Sequence, residues 1–166
     1  MRWRPDRAVD FPELVEAVAR FDAGDLPAAI AAAEWLKQEA LREPLESATR
    51  LCVAHSQVLG YYALANGSVA LKSRQRRQLG VHYVTQPAII VTWIAKSIAH
   101  EFDGSLLVEH ALGSARRAAQ ESTATVLGLD PFDADTAEMW KRRYGFRDSL
   151  ENGPGRELPR MFVALT

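Results

Sequence analysis

The sequence predicts an α/β fold, with helices and strands mixed around one mixed sheet. Three observations carry that reading. A nearly continuous β-branched run, Ala88-Ile89-Ile90-Val91-Thr92-Trp93-Ile94-Ala95-Lys96, suits a central strand buried on both faces. Ahead of it stand two apolar runs, Leu51–His55 and Val58–Leu71, arranged as a hairpin. Around these lie segments with apolar residues at helical spacing. The order is helices, hairpin, strand, helix, strand, helix, strands, as in a single α/β domain over residues 1–166. Residues 1–20 read as an N-terminal helical extension.

Each element has a local reason. Residues 10–47 read as helical: Phe11, Leu14, Val15, Val18 and Phe21 share one face, and Asp22-Ala23-Gly24-Asp25 interrupts them. Asp25 is expected to cap the next helix, with Pro27 in its first turn. That Ala-rich helix runs toward Leu36 and Leu41, and Pro44 ends or kinks it. Ser56-Gln57 is expected to turn the hairpin, and Asn66-Gly67 to bend its second strand. Residues 72–87 are polar and basic, with Gly80 and Pro87, and read as a loop. After the central strand, His100–Ser105 is a polar break before a helix through Leu106, Leu107, His110, Ala111 and Ala118. Thr123–Leu129 reads as another strand. Asp133 or Asp135 caps a helix over 134–144, and Gly145 stops it. Strands from Phe146 and over Pro159–Leu165 complete the chain.

Composition excludes several classes. The 166 residues are 48% apolar with a formal net charge of −1, which argues against a disordered chain and against coating nucleic acid by bulk charge. The apolar stretch near Ala88–Ala99 is broken by Lys96 and is too short to span a bilayer. The segment Met1-Arg2-Trp3-Arg4-Pro5-Asp6 has no apolar core after its charges, so no secretory signal is expected. A lone cysteine, Cys52, allows no internal disulfide and reads as a small packing residue. His55, His82, His100 and His110 lack metal-ligand spacing.

The neutral average hides an asymmetry. Residues 1–50 hold 7 basic and 10 acidic side chains, whereas 51–166 hold 13 and 11. The later positive charge falls in two runs, Lys72/Arg74/Arg76/Arg77 and Lys141/Arg142/Arg143/Arg147. Each run alone suits a solvated face; two runs flanking one site suit a surface that touches phosphates locally. The strand–loop–helix unit over Ala88–Ala119 is an anion site in principle, because first-turn N–H groups are unpaired within a helix. Its loop, Asp103-Gly104-Ser105, holds one glycine, and Asp103 or Ser105 serves equally as a plain helix cap. Tyr144, at a helix end, suits a general acid.

The chain resembles the GNAT acyltransferase superfamily, and within it the tRNA-acetylating toxins of bacterial toxin–antitoxin pairs. The resemblance covers roughly residues 20–165. Its anchors are Glu34–Gln38, then Leu59-Gly60-Tyr61-Tyr62-Ala63-Leu64-Ala65-Asn66-Gly67-Ser68-Val69, the strand Pro87–Ala95, and the helix Ala137–Tyr144 ending in Gly145-Phe146. The resemblance implies two splayed parallel strands, 88–97 and 123–129, that pair with the pantetheine arm of acetyl-CoA. It implies that Ile94, Ala95 and Lys96 meet that arm, and that Asp103, Gly104 and Ser105 stand near the pyrophosphate. It implies an aminoacyl-tRNA amine as acceptor, with Arg74, Arg76, Arg77, Arg142 and Arg143 available to hold the acceptor stem. A small antitoxin of ribbon-helix-helix type, a homodimer and a cytoplasmic location follow from the same resemblance.

The sequence departs from the family pattern at two places. The pyrophosphate loop, Ile98–Ser105, is about three residues shorter than the family's, lacks its basic residue and most glycines, and carries Glu101 and Asp103. The family's catalytic tyrosine position falls on Lys141, while Tyr144 lies three residues on, about 60° around the helix. Tyr144 and Lys141 are therefore both candidates for the acid, Lys141 only if burial or the neighbouring Arg142 lowers its pKa. The alternatives are a degenerate GNAT-fold module that binds a protein or RNA, and an acetyltransferase acting on a small-molecule or protein amine.

Overall fold

The computed structural model describes all residues, Met1–Thr166. Seven strands form a mixed sheet in the order β1-β2-β3-β4-β5-β7-β6. They are β1 (Arg2–Trp3), β2 (Ala48–Ala54), β3 (Gln57–Ala70), β4 (Thr85–Lys96), β5 (Val126–Leu129), β6 (Arg147–Asn152) and β7 (Pro159–Ala164). The helices are α1 (Pro5–Asp10), α2 (Pro12–Ala19), α3 (Pro27–Gln38), α4 (Ser73–Leu79), α5 (Ser105–Ser122) and α6 (Ala134–Tyr144). No helix is long and apolar enough to cross a membrane. Contacts group the chain into two units, Met1–Ala65 with Thr92–Ala111, and Asn66–Val91 with Leu112–Thr166.

The first unit is organised around Tyr61. Its ring is fully buried among Leu14, Val18, Phe21 and Leu36, with Phe21 edge-on at 5.6 Å and Trp35 stacked at 6.0 Å. Its hydroxyl donates to the Ala32 carbonyl of α3 at 2.6 Å, so the buried polar atom is satisfied. Burial pushes that hydroxyl far above the ordinary tyrosine pKa. Helices α1, α2 and α3 each carry proline in the first turn, where a missing N–H costs nothing. The extended backbone of Leu26, without a side-chain bond, begins α3, so Asp25 does not cap it. That helix ends at Gln38, before Pro44 is reached. Residues 1–20 do more than extend the helices, because β1 joins the sheet, pairing Trp3 with Thr49. The hairpin turns at His55 and Ser56, both at positive φ (48° and 57°), one residue earlier than expected.

In the second unit β4 and β5 pair in parallel over four residues, Ala88↔Val126 to Val91↔Leu129. Ile90 lies between two glycines. A Cβ at Gly67 would meet Ile90 Cγ1 at 2.6 Å, and one at Gly128 would meet Ile90 Cδ1 at 2.7 Å and Val69 Cγ2 at 3.0 Å. Gly67 therefore belongs to a strand that continues through it and makes room for a neighbouring side chain. Just past β5, Asp130 takes both oxygens to Arg160 of β7, at 2.7 Å each, with both side chains largely buried. The third Arg160 nitrogen donates to the Ser68 carbonyl at 2.9 Å. Gly153 backs directly onto the Asp130 carboxylate, where a Cβ would overlap it.

Residues 72–87 are not all loop, since α4 occupies Ser73–Leu79 and ends at Gly80 with φ 68°. Helical periodicity missed it because α4 fully buries none of its residues. Helix α6 follows expectation: Asp133 accepts from the Thr136 N–H at 2.7 Å, and Gly145, at φ 70°, ends it.

Gly128→Val is expected to cost about 2 kcal/mol and lower Tm by roughly 4–8 °C in thermal circular dichroism. Pairing it with Ile90→Ala should recover part of that loss; if the double variant is simply additive, the close packing at Ile90 is not the cause.

Candidate functional site

The first part of the site is the outer half of β4. Pairing with β5 stops at Val91↔Leu129, yet β4 continues from Thr92 to Lys96. The N–H of Ser97, next in the chain, donates to Leu59 of β3 at 2.8 Å, and the Ala95 carbonyl lies beside Gly60 of β3. Backbone groups of successive strand residues point to alternate sides, so those of Ile94 and Lys96 face the edge that no β5 residue pairs. Trp93, Ile94 and Ala95 are half-buried, while Thr92 and Lys96 are exposed. Gly60 also lets Leu107 of α5 approach, since a Cβ there would meet Leu107 Cδ1 at 2.7 Å. That close packing sets the start of α5 against the sheet.

The loop from Ser97 to Gly104 and the first turn of α5 form the second part. Asp103 Oδ1 accepts from the Ser105 N–H at 2.9 Å and Oδ2 from the Ser105 hydroxyl at 2.8 Å. The N–H groups of Leu106 and Leu107 donate back to the carbonyls of Asp103 and Gly104, at 3.1 and 3.2 Å. The amides that would greet an external anion are thus engaged internally, and the cap itself carries a negative charge. One cation lies on this loop: Lys96 Nζ donates to the Phe102 carbonyl at 3.3 Å, and its Cδ lies 3.4 Å from where a Gly104 Cβ would be. Sequence reading placed Lys96 on the strand edge; it missed that the ammonium reaches the loop lacking a basic residue of its own.

The second unit holds the acid candidates and both basic runs. Lys141 Nζ pairs with Asp148 at 3.0 Å and Glu138 at 3.3 Å. Asp148 first, then Glu138, hold its pKa above the ordinary lysine value, which is the opposite of the lowering considered from Arg142. Tyr144 is half-buried, its ring 5.0 Å from that of Trp140, which packs in turn on Phe146 at 5.3 Å. Tyr144 and Lys141 thus share a helix but have separate surroundings.

Asp148 also joins the two basic runs. Its carboxylate receives Lys141 of α6, and its carbonyl accepts from Gln75 of α4 at 2.8 Å. A second tie runs from Arg147 to Gln78 at 2.7 Å. Arg74 and Arg77 are exposed on α4, and Arg142 and Arg143 on α6, the two helices both being tied to β6. Arg142 has only a long pair, 3.9 Å to Glu138. Arg76 differs: it donates to the His82 carbonyl at 2.7 Å and the Ser73 hydroxyl at 3.2 Å, closing the turn after α4. The structure thus gathers Ile94, Ala95, Lys96, Asp103, Gly104 and Ser105 in the first unit, and the acid candidates with the arginines in the second.

The Lys141–Asp148 pair has a pH signature. A raised lysine pKa stabilises fully below the ordinary value of 10.5, and the contribution disappears as pH rises through the higher folded value. Asp148→Asn should therefore lower Tm near neutral pH, with the gap to the parent protein closing at strongly alkaline pH. A gap independent of pH in thermal scans would show that the pair contributes nothing through titration.

No family model matches the chain, and no curated protein matches its sequence. Solved structures do match. A tyrosine-to-phenylalanine mutant of KacT superposes with TM-score 0.71 at 16% identity, covering 89% of this chain and 87% of that one. AtaT complexed with acetyl-methionyl-tRNAfMet gives 0.70 at 21% identity, covering 89% and 86%. AtaTR bound with acetyl-CoA gives 0.66 at 20% identity, covering 89% and 86%. At these identities the likeness is one of fold: the chain has the mixed-sheet GNAT architecture of the AtaT and KacT toxins.

Proposed function

We propose that this chain is an acetyl-CoA-dependent N-acetyltransferase of the toxin type, moving acetyl to the amine of an aminoacyl-tRNA in the cytoplasm. The observation that carries the proposal is β4 continuing five residues beyond its last β5 partner, with Ile94 and Lys96 offering an unpaired edge. An exposed edge of that kind accepts an extended amide-bearing ligand as it would accept another strand. The pantetheine arm of acetyl-CoA is such a ligand, and AtaT, of the same fold, has been solved with acetyl-CoA.

The fit differs along the cofactor. Ile94, Ala95 and Lys96 suit the pantetheine. At the pyrophosphate end, Lys96 is the favourable charge, and the Asp103 cap opposes phosphate. Acetyl-CoA supplies an activated thioester carbonyl. The protein's part is to align the acceptor amine and return a proton to the departing sulfur. Of the two acid candidates, Tyr144 suits the task better, because Lys141 is held cationic by two carboxylates and gives up its proton reluctantly. Arg74, Arg77, Arg142 and Arg143 supply sequence-independent contacts to an acceptor stem. A small antitoxin of ribbon-helix-helix type and assembly as a homodimer belong to the same proposal; AtaT is known bound to the C-terminus of its antitoxin AtaR.

Asp103 also favours a second reading, a GNAT-fold binding module without catalysis. Calorimetric titration separates the two. The enzyme reading expects acetyl-CoA binding that tightens about three- to tenfold in Asp103→Asn, which keeps a capping oxygen while removing the charge, and weakens in Lys96→Gln. It expects labelled acetyl on charged tRNA, with kcat about a hundredfold lower in Tyr144→Phe and cofactor affinity unchanged. No acetyl-CoA binding by either the parent or Asp103→Asn would leave the binding-module reading standing. Replacing Arg142 and Arg143 by alanine should weaken tRNA binding and flatten its salt dependence by about one to two units of slope.

A further inference from the structure

The first unit contains a cavity of about 520 Å³ where the segment after α3 lies against β4. That volume is within the range of small-molecule sites. Its wall is aromatic. Trp93 of β4 stacks on Trp35 of α3 at 5.6 Å with 22° between the planes, and Trp35 stacks in turn on the buried Tyr61. Both tryptophans are half-buried and pack against the core; Trp35 is already stacked on two rings, which leaves Trp93 with the freer face. The rim is acidic. Glu39, Glu43 and Glu46 line it against a single Arg42, and Arg42 is already paired with Glu39 at 3.2 Å. Glu43 and Glu46 are exposed and have no ion-pair partner. A hydrogen bond of 3.1 Å between the Ser47 and Thr92 hydroxyls holds this segment to β4.

We infer that this cavity is a binding site for an organic ammonium, a primary amine carrying an apolar body. The freer indole face, that of Trp93, attracts a cation, and the surplus of two negative charges disfavours phosphates and carboxylates. An inner surface of stacked rings takes the apolar body, while the unpaired glutamates face the charge. Thr92 and Trp93 line the cavity and directly precede Ile94–Lys96 on the same strand. Resting on the acetyl-transfer reading, this makes the cavity the subsite that selects the acceptor amine. Before it attacks, the ammonium gives up a proton, which the exposed Glu43 or Glu46 can take; the amide product is neutral, so the rim no longer attracts it.

The test is calorimetry on the full chain without acetyl-CoA, so its failure leaves acetyl transfer untouched and the reverse also holds. Leucine methyl ester represents the end of an aminoacyl acceptor, and spermidine a free polyamine. The neutral N-acetyl-leucine methyl ester and the anionic N-acetyl-leucine are controls. Binding of either ammonium probe, with both controls at least tenfold weaker, supports the inference, and the tighter probe identifies the source of the amine. Trp93→Leu should weaken binding about fivefold, as should Glu43→Gln combined with Glu46→Gln, and added salt should weaken it further. The glutamates are exposed, so the second variant carries the test if the first does not fold. Failure of both ammonium probes to bind, equal binding of the neutral control, or unchanged affinity in the folded glutamate variant would overturn the inference.

Discussion

The short parallel pairing of β4 with β5 is the constraint on which the rest depends. Four residues of β5 are buried, and then the chain reaches Asp130, whose carboxylate is taken in a bidentate grip by Arg160. Such a paired, hydrogen-bonded charge is well satisfied only in one geometry, so it marks where β5 ends and ties that point to β7 and β3. Ile90, seated between Gly67 and Gly128, holds the register on the other side of the same pairing. A strand that continues beyond its neighbour leaves backbone donors and acceptors unpaired. Proteins cover such an edge or use it.

The chain also separates its charges between its two units. The acidic surplus of the first fifty residues is concentrated where it matters at Glu39, Glu43 and Glu46, beside two half-buried indoles. The basic runs collect on α4 and α6, joined through Asp148. A net charge of −1 is therefore a sum that includes an acidic cluster in one unit and a basic one in the other.

The start of α5 shows how a local choice limits chemistry. A helix N-terminus is a general anion site, but a carboxylate cap competes for the same amides. Asp103 makes that cap, and Lys96 partly offsets it from the end of β4. The short loop and its two acids were plain in the sequence. The compensation was not, because it depends on a side chain seven residues earlier folding over the loop.

By itself the sequence determined the elements whose signals are local. The β-branched run became β4, Asp133 and Gly145 bounded α6, and the anchors from Gly60 to Val69 lie in β3. It did not determine α4, which buries no residue completely and so leaves no apolar period, nor β1, whose two residues gain strand character only by pairing with β2. Tertiary structure alone decided the site's charges. Lys141 meets Asp148 because β6 returns beside α6, Asp130 meets Arg160 thirty residues away, and Trp35 meets Trp93 because α3 packs on β4. Periodicity and caps are read within a turn or two of chain, whereas the pairing of a charge or a ring is fixed by which distant backbone the fold brings within a few ångströms.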